Sequence, residues 1–205
     1  MLIGISLGPG DPEMLTFKAA KALRTCYKVF VPGEMAAELS RPYCSPELLV
    51  FPMIDDNHEL ERIWIENADI VANFASRRQV GFAVIGDVNT FSTFSHLKKV
   101  MIERHPEIEI KTIPGVGVIP ALASKFGMAL DKSYEVSDGS EVEAKIRMKA
   151  THPRRLAEDL QKQGFDEFIL GCRLYSPQEK IVRGNSYDMP ERSDYFSVLY
   201  ARRKT

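Results

Sequence analysis

The stretch that most limits the fold is Val80 to Leu97. An apolar run, Val80-Gly81-Phe82-Ala83-Val84-Ile85, stops at Gly86-Asp87, and a segment with apolar residues at helical spacing (Phe91, Phe94, Leu97, Val100, Met101) takes over. A short run that is apolar on both faces and feeds a helix through a glycine turn reads as a strand inside a covered parallel sheet. In such sheets small ligands gather at the carboxyl ends of the strands, where helix N-termini and unpaired backbone groups converge. Gly86-Asp87 reads equally as an ordinary turn, with Asp87 accepting turn N–H groups.

The same grammar recurs along the chain. Leu2 to Leu7 reads as a strand, Gly8-Pro9-Gly10-Asp11-Pro12 as a loop, and Leu15, Ala19, Ala22 and Leu23 as the apolar face of a helix. Tyr27 to Val31 and Leu48 to Phe51 read as strands, and the segment between them, with Pro42 and Pro46, as an irregular surface excursion. Asp55, Asp56 and Asn57 offer N-caps to a long helix with Leu60, Trp64, Ala68, Val71 and Ala75 on one side. Glu109 to Ile113 is a fifth strand, and Pro114-Gly115-Val116-Gly117-Val118 leads into a helix through Phe126. This βαββαβα order calls for an α/β domain on a largely parallel sheet.

Beyond about Gly127 apolar segments shorten and charge rises. The expected division is 1–114 as an N-terminal α/β domain and 115–205 as a smaller C-terminal mixed-sheet α/β domain. Its expected strands are Ala144–Lys149, Glu167–Cys172, Lys180–Arg183 and Tyr195–Ala201, with a helix over Pro153–Gln163.

Composition narrows the function classes. In 205 residues, 27 Lys and Arg nearly balance 28 Asp and Glu, which argues against nucleic acid held by bulk charge. No run reaches membrane-span length, and Met1 leads straight into strand-like residues, so a cytoplasmic location is expected and no membrane partner. Cys26, Cys44 and Cys172 lack CxxC spacing and read as reduced thiols; the four histidines lack HxH or HExxH spacing, so no protein-bound metal is expected. GxGxxG is absent after the first strand, which makes a nicotinamide site unexpected.

Three ordered motifs carry a resemblance. Gly8-Pro9-Gly10-Asp11-Pro12-Glu13-Met14-Leu15-Thr16 resembles the GPGDPxLLT opening of the tetrapyrrole methylases, S-adenosylmethionine-dependent enzymes of cobalamin and sirohaem synthesis. Gly86-Asp87-Val88-Asn89-Thr90-Phe91-Ser92-Thr93-Phe94 resembles their GDPxxYST loop, and Thr112-Ile113-Pro114-Gly115-Val116 their IPGV. Ser92 to Leu97, Arg147-Met148-Lys149, Pro177 to Val182 and Tyr195-Phe196-Ser197 are most similar to the precorrin-2 or cobalt-factor II C20-methyltransferases. The chain departs from the pattern at Val88, where Pro is usual, at Ser6, where Gly is usual, and at Cys172, where Glu commonly precedes Arg173.

The resemblance implies a homodimer of two-domain chains with the methyl donor S-adenosylmethionine in the interdomain cleft. Matched to the motifs, its contacts would be Pro9, Gly86, Asp87, Val88, Ser92, Thr93, Gly117, Val118, Met148 and Leu174. It implies methylation of C20 of a tetrapyrrole, precorrin-2 or its cobalt form, whose carboxylates Arg41, Arg173, Lys180 and Arg183 are placed to meet; each of these also reads as a solvated surface charge. Asp11 has two readings, help for the proton leaving C20 or plain turn capping. Other acceptors within the superfamily (a different ring carbon, diphthine precursors, ribosomal RNA) and a degenerate, non-catalytic cofactor or tetrapyrrole binder are the alternatives.

Overall fold

The computed structural model describes residues 1–52 and 56–204, without the side chain of Asn57. The chain folds as two compact units, Met1–Lys132 and Ser133–Thr205. The division falls later than the expected 114/115 because the loop after the fifth strand stays tied to the first unit: Gly115 N–H donates to the Asp87 carboxylate at 2.9 Å.

In the first unit β1 (Leu2–Ser6), α1 (Phe17–Thr25), β2 (Lys28–Val31), α2 (Glu34–Ser40), β3 (Glu47–Leu48), α3 (Asn57–Ala75), β4 (Val80–Val84), α4 (Phe94–Arg104), β5 (Ile110–Ile113) and α5 (Val118–Lys125) follow one another. The sheet order is β3-β2-β4-β1-β5, and its strand pairs are parallel. Central strands are buried on both faces, as their uninterrupted apolar runs require: β1 and β4 are buried throughout. One face packs Leu2, Phe82, Val84 and Val88 against α3 and α4, and the other packs Ile3, Ile5 and Ala83 with residues of α1 and α2.

Three expectations change here. The excursion before Pro42 contains α2, whose Ala36, Ala37 and Ser40 are buried; the prolines end the helix rather than prevent it. The third strand is two residues long, since Pro52 follows closely and it sits at the sheet edge. Phe91 is not on the helical face at all. It precedes α4, has φ +45°, and is 69% exposed. Asp56 caps α3 by accepting from His58 and Glu59 N–H; Asp55 lies outside the described residues.

The second unit comprises β6 (Ala144–Met148), α6 (Pro153–Gln161), β7 (Glu167–Cys172), β8 (Lys180–Gly184) and β9 (Ser197–Arg202). Its sheet, β6-β9-β7-β8, is antiparallel at every described pairing rather than mixed. Strands joined by a short loop, such as β7 and β8, have no room for a crossover and must pair antiparallel. Phe168, Leu170, Leu199 and Ala201 pack beneath α6 with Ala157 and Leu160.

Candidate functional site

The carboxyl ends of β4, β1 and β5 lie side by side, because Ser6 is in register with Val84 and Ile5 with Ile113. The loops that follow are stitched together. Leu7 N–H donates to Val84 O (2.9 Å), Gly86 N–H to Gly8 O (2.7 Å) and Gly8 N–H to Gly86 O (3.3 Å). This bridge needs both glycines at φ +76°. A Cβ on Gly8 would stand 3.1 Å from Met14 O, whereas a Cβ on Gly86 would meet no atom within 4 Å. Gly86 is therefore backbone facing open space beside two neighbouring loops.

Asp87 sits at the centre. Its Oδ2 accepts from Gly115 N–H (2.9 Å) and from the Ser6 hydroxyl (3.4 Å); its Oδ1 accepts from Asn89 N–H (2.9 Å) and the Thr90 hydroxyl (3.3 Å). One carboxylate thus joins the end of β1 to the loops after β4 and β5. Asp87 does not cap α4, whose N-cap residue is Thr93. Val88 is 2% exposed and its side chain packs in the core, while its N–H donates to the Ser6 hydroxyl at 2.8 Å. Ser92 donates to Val88 O at 2.6 Å, and Thr93 is the N-cap residue of α4 without a side-chain bond. Pro9 is half-buried beside the glycine bridge, Gly117 is the N-cap residue of α5, and Val118, its first helical residue, is exposed. Asp11 Oδ1 accepts from Glu13 N–H (2.9 Å) in an exposed turn, its Oδ2 having no protein partner among the described residues.

In the second unit a pocket of about 500 Å³ is lined by Met148, Lys149, Arg173, Leu174, Phe196 and their neighbours. Met148 and Leu174 both line it. Tyr195 and Phe196 add exposed rings in edge contact, with the Lys149 ammonium over Tyr195 and the Arg173 guanidinium over Phe196. Lys149 and Arg173 have positive φ, +55° and +50°, conformations that persist only where surroundings enforce them.

Of the four cations read for the substrate, Arg41 belongs to the first unit and Arg173, Lys180 and Arg183 to the second. Arg41 is paired with Glu34 on α2. Arg173 donates through Nε to Asp194 (2.6 Å) and through a terminal nitrogen to Gln178 (2.8 Å), and that hydrogen bond holds the Asp194 carboxyl below the usual carboxylate range. Lys180 and Arg183 are exposed on β8 and, being three residues apart on a strand, lie on opposite faces. No cluster of three His, Cys, Asp or Glu suited to a metal is present among the described residues, and no described helix is long and apolar enough to cross a membrane.

Sequence reasoning passed over three contributors. Ser6 stands out in the sequence only as a departure, Gln178 only as part of the Pro177–Val182 segment and Asp194 not at all; their roles depend on partners 21 to 82 residues away or across a turn, which no local pattern encodes.

A parallel-sheet unit with stitched glycine loops at its carboxyl edge, followed by an antiparallel unit, defines a class of two-unit α/β proteins. The family model described as Tetrapyrrole (Corrin/Porphyrin) Methylases matches residues 1–190, and the chain belongs to that family. It is 31% identical to a probable cobalt-precorrin-2 C(20)-methyltransferase of Methanocaldococcus jannaschii over 98% of this chain and 95% of that one. It is also 31% identical to the cobalt-precorrin-2 C(20)-methyltransferase of Salmonella typhimurium, over 63% of this chain and 58% of that one. Among solved structures, a putative cobalamin synthesis related protein, CobF, of Corynebacterium diphtheriae shares the fold at TM-score 0.54 and 16% identity, covering 99% and 98% of the two chains. The methyltransferase CobJ does so at TM-score 0.51 and 18% identity, covering 98% and 93%.

Proposed function

We propose that this chain is an S-adenosylmethionine-dependent methyltransferase of cobalamin biosynthesis acting at C20 of precorrin-2 or its cobalt form. The single observation that carries the reading is the match, over nearly the whole length of both chains, to a relative bearing that activity in its name. The loops at the carboxyl edge of the first sheet fit the donor. At Gly86 the place of a side chain is open, so a folded ligand can lie against the backbone, and the neighbouring Pro9 and Gly117 are half-buried.

Bound S-adenosylmethionine would supply an electrophilic methyl group on a sulfonium. The protein's share is to hold two reactants in line and keep water away, and no side-chain nucleophile is required. Pro9, the Gly86-Asp87-Val88 backbone, Ser92, Thr93, Gly117 and Val118 are assigned to the donor in the first unit. The free Oδ2 of Asp11 is assigned the proton released from C20. Lys180 and Arg183, without side-chain partners among the described residues, remain the groups to meet carboxylates of the macrocycle, whereas Arg41 and Arg173 are engaged within the protein. A dimeric, cytoplasmic enzyme accords with this reading.

The test is turnover. Purified protein incubated with S-adenosylmethionine and either precorrin-2 or cobalt-factor II is expected to yield a product heavier by one methyl group. No gain in mass with either substrate would reject the assignment.

A further inference from the structure

The amide of Val88 points into the protein at the turn where β4 leaves the sheet, and it is met there by the Ser6 hydroxyl at 2.8 Å. Both residues are closed off from water, Ser6 at 1% and Val88 at 2% exposure. The hydroxyl has one hydrogen, and it is directed to Asp87 Oδ2. Ser6 therefore accepts from one residue of the loop and donates to the preceding one, while Asp87 Oδ2 holds Gly115. The fit leaves no slack, since a Cβ on Gly115 would stand 2.5 Å from the Ser6 Cβ.

This contact joins the two departures from the family motif in the first unit. A proline at position 88 has no N–H to satisfy, and a glycine at position 6 has no hydroxyl to satisfy it. The chain carries the donor and the acceptor together. A buried N–H without an acceptor costs about 1–3 kcal/mol, more than the bond itself contributes, so Ser6 is not readily changed while Val88 keeps its N–H.

We propose that Ser6 is a positioning residue for the Gly86–Val88 loop, and that Ser6 and Val88 form a compensating pair: the Ser6 hydroxyl does by hydrogen bonding what proline's fixed φ does covalently. Resting on the cofactor reading above, the loop's Gly86 backbone is presented to S-adenosylmethionine only while Val88 N–H and Asp87 Oδ2 are both held by Ser6.

The experiment is a double-mutant cycle on the full chain, comparing the unmodified protein with Ser6→Gly, Val88→Pro and the double variant, with Ser6→Ala as the change that removes only the hydroxyl. S-adenosylhomocysteine affinity is read by calorimetry, the melting temperature without ligand, and KM separately for donor and tetrapyrrole. Ser6→Ala and Ser6→Gly are expected to weaken S-adenosylhomocysteine by about tenfold, the scale of an orphaned buried amide. The rise in KM falls on S-adenosylmethionine and not on the tetrapyrrole. The double variant is expected to recover to within about threefold of the unmodified chain, far from the sum of the singles. Equal affinity of Ser6→Ala and the unmodified protein, or additive losses in the double variant, overturns the proposal. If a single variant does not fold, recovery of a cooperative melt in the double variant supports the pairing and its absence refutes it. Failure of the unmodified chain to bind S-adenosylhomocysteine refutes the cofactor reading and this proposal with it, whereas normal binding unaffected by Ser6 refutes this proposal alone.

Discussion

Replacing Gly86 by valine separates folding from ligand recognition. Gly86 has φ +76°, a conformation that costs an L-residue about 1–2 kcal/mol and a β-branched one somewhat more. No protein atom lies within 4 Å of the position the new Cβ would take, so clash adds nothing to that strain. Taking about 2 kcal/mol, and a shift of roughly 2–4 °C per kcal/mol for a chain of this size, the melting temperature should fall by about 4–8 °C. The protein stays folded at room temperature, since domains have about 5–15 kcal/mol to lose. The valine methyls occupy the space left open at the glycine bridge, and S-adenosylhomocysteine affinity should drop by at least about tenfold, or 1.4 kcal/mol. Gly86→Ala, with the strain but only one carbon, should show a similar melting shift and a smaller loss of affinity. Calorimetry with the two variants, alongside their melting curves, decides the matter: lowered melting temperatures with unchanged affinity would show that the Gly86 backbone does not face the ligand.

The pocket of the second unit gives another test. Asp194 does not line it but holds Arg173, which does, so Asp194→Asn should weaken a ligand bound there by about two- to fivefold, the scale of an exposed charged pair. Were Arg173 instead gripping the ligand's own carboxylate, freeing it would tighten binding. Because the Asp194 carboxyl is held below its ordinary range, this ion pair persists above that range and is lost only as pH falls through the depressed value; affinity should be flat from neutral pH down to about pH 5. Burial pushes the Cys26 and Cys44 thiols up, so iodoacetamide at pH 8 should modify both several-fold more slowly than a free cysteine, the difference vanishing in denaturant. The same shift means that their contribution to stability is present below the ordinary thiol range and is lost as pH rises past it, which a falling melting temperature above about pH 9 would register.

How much of this was readable in sequence follows from the range of the forces involved. α3 and β4 are legible because burial writes a period of 3.6 or a solid apolar run into the residues themselves. The spacing of Phe91 to Phe94 and Leu97 mimics that period, yet Phe91 lies in a loop held by Asp87 and Ser92, and hydrogen bonds of that kind leave no periodic trace. α2 was hidden by the prolines after it, although its buried Ala36 and Ala37 were present in the sequence. The antiparallel second sheet depends on which strands meet, a long-range fact, and so does the place of the unit boundary. At the site the Gly8 and Gly86 loops were legible as motifs because glycine chemistry is local. Ser6, Asp194 and Gln178 were not, since each matters only through a partner brought to it by folding.

The most direct test of the account is the position of the transferred carbon. With S-adenosylmethionine labelled with carbon-13 in its methyl group and precorrin-2 or cobalt-factor II as acceptor, the spectrum of the product should show one enriched methyl attached at C20. Label at another ring carbon, or a tetrapyrrole recovered without label while the protein binds the donor, would contradict it.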